Sequence, residues 1–273
     1  MSFVALYGSE LRRLLARRAV RIAFGVALGL TLLVVVVAAI RSTGTGFTDH
    51  TMRLRTLWLQ SGGHTEETTV LSVSIYLFVV AAGLAATAIG GDYRTGTMGT
   101  PLTWEPRRVR LATARLLAVV VVAGGLYLVI TGVLVGGWWL GAATRGSVSV
   151  PAHFWPDLAR LVARCVATTV GFALVTAGMV LVTRSTVGGI LLWVGYLVGI
   201  EGVLGSRISG LREHLLFANL AAFLDGHAVR IQDGGGGGGV VAVGPSDGLL
   251  LLVGVMAVVV ALGLVAFRRR DVT

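Results

Sequence analysis

The residues of this chain best suited to chemistry crowd into one strip, GGDYRTGTMGTPLTWEPRRVRLATAR, at 90–115. Asp92 and Glu105 supply carboxylates, Arg94, Arg107 and Arg108 supply guanidiniums, and Trp104 an indole, with Gly96 and Thr97 between them. Protein interfaces favour aromatic and arginine side chains, so the strip suits docking better than catalysis. Elsewhere reactive groups are sparse. Cys165 is the single cysteine, which excludes an intrachain disulfide and a CxxC metal site. His50, His64, His153, His214 and His227 lack ligand spacing such as HxxxH and read as loop residues. All 23 basic residues are arginine, and without lysine the chain cannot build the GxxxxGK[ST] loop that grips phosphates in P-loop ATPases. The glycine run at 234–239 reads as a flexible linker.

The elements that must position the strip are greasy. The chain is 55% hydrophobic and 13% charged, with a mean hydropathy of +0.85, whereas a soluble domain is about a quarter charged. Crossing a hydrocarbon core of ~30 Å takes roughly 20 helical residues. Stretches at 22–40, 70–89, 116–140, 165–182 and 248–267 qualify, and 186–205 joins them if Glu201 sits at its outer end as a water-facing cap. Leu211–Leu224 is shorter and begins near Glu213 and His214, which suits a re-entrant or interfacial helix. The expected fold is therefore an all-α integral membrane protein. It has six transmembrane helices, an N-terminal amphipathic interfacial helix and a re-entrant or interfacial helix before the last span. Residues 1–273 form a single membrane domain, with the strip 90–115 and a Gly-rich loop at 226–247 on opposite sides.

Six spans place both termini on one side. The segments of that side hold 14 arginines in 56 residues, and the opposite segments hold nine in 100. This density difference makes the terminal side cytoplasmic by the positive-inside rule. The net charge of +10 then faces anionic headgroups, and nucleic acid is not needed to explain it. Within FVALYGSELRRLLARRAVRI, Phe3, Tyr7, Leu11 and Leu14 share one helical face while Arg13, Arg17 and Arg21 recur on another. That pattern suits a helix lying in the interface. Gly25 with Gly29, Gly132 with Gly136 and Gly195 with Gly199 form small-xxx-small pairs, which let helix backbones approach closely in lipid.

The order AATAIGGDYRTGTMGTPLTWEPRRVRLATARLLA resembles the second-span to third-span junction of permease subunits from type-2 ABC transporters. Asp92, Tyr93, Arg94, Gly96, Thr97, Pro106, Arg107 and Arg108 match that junction in order. The amphipathic N-terminal helix, the span count, the re-entrant candidate and the ending FRRRDV extend the likeness along the chain. Gly99 and Pro101 depart from it, falling where the family has a more regular apolar coupling helix. The resemblance implies a permease, not an enzyme, working in export, and the few polar groups in the spans favour an apolar or amphipathic substrate over a sugar or an ion. It binds no cofactor itself, ATP being bound by a separately encoded ATPase subunit. It implies that Asp92, Arg94, Gly96, Thr97, Trp104, Glu105, Arg107 and Arg108 form the ATPase-contacting coupling loop. Asp92 within it is expected to stay with the permease, capping amides or pairing with a nearby arginine. A second copy or a paralogue would dimerise across Gly25, Gly29, Gly195 and Gly199, in a bacterial plasma membrane. Residue patterns alone leave open a membrane anchor or sensor that recruits a cytosolic partner, and an ion-coupled carrier. Cysteine scanning in intact cells tests the orientation. Impermeant label should reach a cysteine placed at Gly236 and not one placed at Thr273.

Overall fold

The computed structural model describes residues 2–41, 52–53, 69–94, 107–208, 211–232 and 240–269. It is all-α, with six helices long and apolar enough to cross a membrane. Helix α1 (Phe3–Ala16) opens with the Ser2 hydroxyl accepting from the Ala5 amide at 3.2 Å, which satisfies one of the free N–H groups of its first turn. The chain then breaks at Arg17, whose backbone is extended (φ −65°, ψ 133°), before α2 (Arg18–Arg41) enters the bilayer. Leu6 and Leu14 are buried while Val4 and Leu15 are exposed, so α1 lies with one face on the bundle.

The remaining spans are α3 (Thr69–Arg94), α4 (Arg108–Arg145), α5 (Phe154–Thr183), α6 (Thr186–Gly195) with a π-helical continuation (Tyr196–Leu204), and α8 (Pro245–Arg269). Helices α3, α4 and α5 form the centre, with 50–61% of their most apolar windows buried against 11% for α2, α6 and α8. The helices α3, α4, α5 and α8 overrun the apolar stretches at both ends. Helix ends need only interfacial or internal partners for their charged residues, so hydropathy marks the hydrocarbon-facing part and not the helix.

Close crossings are made by glycine. A Cβ on Gly178 of α5 would stand 2.8 Å from the Val259 carbonyl oxygen of α8, and one on Gly263 of α8 would stand 2.9 Å from the Gly178 carbonyl oxygen. Several buried side-chain hydroxyls are satisfied within the bundle. Ser74 Oγ donates to the Val70 carbonyl at 2.6 Å and pairs with Tyr127 Oη at 2.6 Å, Thr169 bonds the Cys165 carbonyl at 2.7 Å, and Thr31 pairs with Tyr76. Phe78, Phe172 and Trp193 stack in sequence at 5.6 and 4.9 Å, joining α3, α5 and α6. Trp193 Nε1 donates to Thr176 Oγ1 at 2.7 Å, which gives the indole its polar partner.

On the side opposite α1, α7 (Leu216–Asp225) is the expected short helix before the last span. Its own N-cap residue, Leu215, offers no side-chain acceptor. Glu201 Oε1 takes the Phe217 amide at 3.1 Å and Tyr196 Oη takes the Leu216 amide at 3.3 Å, while Tyr196 donates to Glu201 at 2.8 Å. Glu201 lies near the end of its span, as expected, and its partly buried carboxylate also caps another helix. The π-helical winding, one residue wider per turn, carries it there. At the other end Gly226 adopts φ +78°, which strains any residue with a side chain, and the Arg164 guanidinium lies against it. Carboxylate at the N-terminus and guanidinium at the C-terminus both complement the helix dipole.

Two short pairings were not expected from sequence. Met52–Arg53 pairs in parallel with Gly146–Ser147, and Val229–Gln232 pairs antiparallel with Val240–Val243. The glycine run lies outside the described residues, between the two strands of this hairpin. At the α5–α8 crossing, Gly178→Ala should lower the midpoint of thermal unfolding in detergent by the equivalent of about 1–3 kcal/mol. Gly254→Ala, where an added methyl meets nothing within 4 Å, should leave it unchanged.

Candidate functional site

The last turn of α3 carries Asp92, and a carboxylate there opposes the helix dipole. Its side chain is nonetheless buried, at 5% exposure. Three arginines make that tenable. Arg17 Nη2 donates to Asp92 Oδ1 at 2.6 Å and Arg13 Nη2 to the same oxygen at 3.0 Å. Arg115 Nη1 lies 3.0 Å from Asp92 Oδ2, an ion pair too bent to count as a hydrogen bond. Arg115 Nε also donates to Glu10 Oε2 at 3.1 Å, and Glu10 Oε1 stands 3.9 Å from Arg13 Nη1. The cluster ties together α1 (Glu10, Arg13), the α1–α2 hinge (Arg17), the end of α3 (Asp92) and the early turns of α4 (Arg115).

The preceding glycines permit this convergence. A Cβ on Gly91 would come within 3.2 Å of Arg17 Nη1, and one on Gly90 would overlap Thr186 at the start of α6. Arg17 Nη1 further donates to the Thr87 carbonyl at 3.1 Å, spanning from the hinge to α3. Beside the cluster, α5 and α6 are joined by Arg184 and Ser185. Arg184 takes φ +56°, a left-handed conformation uncommon for a side chain of its size. Ser185 Oγ accepts from the Gly188 amide at 3.2 Å, capping α6.

Of the coupling-loop residues expected from sequence, Asp92 turns inward to the arginines, while Arg94 ends α3 exposed. Arg107 precedes α4 and is exposed; Arg108 opens α4 and is partly buried. Gly96, Thr97, Trp104 and Glu105 lie outside the described residues. The structure thus brings the two ends of the strip together through Asp92 and Arg115. Gly25, Gly29, Gly195 and Gly199 have nothing within 4 Å of an added Cβ among the described residues. Among the described residues no group of His, Cys, Asp and Glu is placed to hold a metal ion.

Sequence reasoning missed Arg13, Arg17 and Arg115 as the partners of Asp92, and Glu10 as a second carboxylate on Arg13 and Arg115. Periodicity put Arg13 and Arg17 on the polar face of α1, but which carboxylate they meet depends on where α1 lies. The chain matches no protein-family model and has no recognisable similarity to a curated protein.

Removing one member of a buried ion cluster strands the others, at a cost of about 3–5 kcal/mol. Asp92→Asn should therefore destabilise by about that amount in detergent unfolding. Arg13→Gln removes a cation that is 36% exposed and should cost only about 1 kcal/mol. Equal small losses for both variants would mean that Asp92 is well solvated.

Proposed function

We propose that this chain is the membrane-spanning permease subunit of an ABC exporter, driven by a separately encoded ATPase that docks on the strip at 94–108. The terminal side is then cytoplasmic, and the membrane is the bacterial plasma membrane. The observation that carries the reading is the clamp at the base of the strip. Asp92 and Arg115 join the end of α3 to the early turns of α4, and both are held to α1. A short loop on such a base transmits force, because its ends cannot move separately from the spans. ATP-driven closure of two ATPases against such loops would tilt α3 and α4 together and switch the pathway.

Two further features support the reading. Most of the polar side chains within the spans are satisfied inside the chain, which leaves little to line a pathway through one subunit. The small-residue faces of α2 and α6 are open, which suits a second copy or a paralogue placed across a shared, largely apolar pathway. That lining suits an apolar or amphipathic substrate better than a sugar or an ion.

Interfaces commonly depend on a few aromatic and arginine anchors. Trp104→Ala should weaken ATPase binding by about 2 kcal/mol, roughly thirtyfold, with insertion unchanged. Glu105→Arg should uncouple ATP hydrolysis from transport even in complexes that survive. Co-purification and transport assays would check both beside Arg160→Ala, an exposed residue on the opposite side paired with Asp157. Loop variants indistinguishable from that control would return the strip to an ordinary basic loop and favour the anchor or sensor reading.

A further inference from the structure

Periodicity alone would turn Arg13, Arg17 and Arg21 towards the interface. The structure divides the arginines of this region differently. Arg13 and Arg17 turn inward and are engaged by Asp92. Arg12, Arg18 and Arg21 are exposed, and none of them meets a carboxylate among the described residues. They flank the break between α1 and α2 and leave three uncompensated positive charges there.

Position decides what such a surface would meet. Arg21 is followed directly by Ile22, where the apolar run of α2 begins, and Ile22 is itself exposed. Guanidiniums at that point stand where hydrocarbon gives way to water, the level of lipid phosphates. On α1, Val4 and Leu15 are about three turns apart and so fall on one line of the helix. They are 76% and 50% exposed, whereas Leu6 and Leu14 are buried against the bundle. Arg12 precedes Leu15 by three residues and borders that line. An apolar line bordered by arginine lets an interfacial helix meet acyl chains and headgroups together. Guanidiniums match phosphate oxygens in geometry and charge, so an anionic lipid, with no cation of its own to compete, is favoured over a zwitterionic one. We propose that the exposed surface of the α1–α2 break binds anionic phospholipid headgroups through Arg12, Arg18 and Arg21, with Val4 and Leu15 resting on the acyl chains. Only the leaflet, cytoplasmic under the orientation proposed above, rests on that reading.

The test uses the full chain purified in detergent, without ATPase, so its outcome does not depend on transport or orientation. Native mass spectrometry compares retention of phosphatidylglycerol with that of phosphatidylcholine bearing the same acyl chains. Phosphatidylglycerol should be held at least about tenfold more tightly, each arginine contributing about fivefold. The double variant Arg18→Gln, Arg21→Gln should bring the two lipids within about threefold of one another. Arg268→Gln with Arg269→Gln removes the same charge from the exposed end of α8 and should leave the preference unchanged. Arg12→Gln should lower it about fivefold and Arg12→Lys, which keeps the charge, by no more than about twofold. Leu15→Gln should weaken both lipids alike; no change in either would overturn the seating of α1 on acyl chains. Equal losses in the α8 double variant would assign the effect to diffuse charge and overturn the site. Displacement of phosphatidylglycerol by millimolar inorganic phosphate would overturn the lipid in favour of a free anion.

Discussion

A carboxylate at the C-terminal end of a span is doubly disfavoured, by burial and by the helix dipole, and Asp92 endures both. Its solution organises one side of the molecule. Three guanidiniums must reach one carboxyl group, so the helices carrying them have little choice of position. Arg17 forces the break between α1 and α2 to lie beside α3. Arg13 brings the last turns of α1 with it. Arg115 sets the depth of α4, and Glu10 neutralises part of the surplus. Gly90 and Gly91 are the corollary, since a side chain at Gly90 would collide with α6 and one at Gly91 would crowd Arg17. The interfacial helix, the hinge and both ends of the polar strip thus depend on a single buried charge.

The opposite side follows the same electrostatic logic with a different element. Helix α7 is only ten residues long, too short to be stable alone. It is kept helical by contacts at its ends as well as by packing. Glu201 and Tyr196 supply the N-terminal acceptors that Leu215 lacks, and Arg164 covers the C-terminal turn. The π-helical stretch that delivers Glu201 is therefore explained by the helix it caps. Between the two sides, hydroxyls, aromatic stacking and glycine crossings replace the hydrophobic effect, which gives no preference for helix over lipid inside a bilayer.

Sequence by itself determined the class of fold and the number of spans. Backbone polar groups in lipid must be satisfied within a helix, so an apolar run of sufficient length has one outcome. It determined that α1 is amphipathic and that a short apolar helix precedes the last span, because periodicity and length are local properties. It isolated Asp92 and the strip that follows, since charge between two apolar runs is conspicuous. Only the tertiary structure decided what Asp92 meets. Arg13, Arg17 and Arg115 are 79, 75 and 23 residues away in sequence, and no spacing rule links residues on three separate helices. It likewise decided that Glu201 caps α7, that Gly25 and Gly195 face outward while Gly178 and Gly263 face each other, and that strands flank the glycine run. Each of these depends on how one helix is rotated against another. That rotation minimises the energy of the whole bundle, and no local stretch of the chain encodes it.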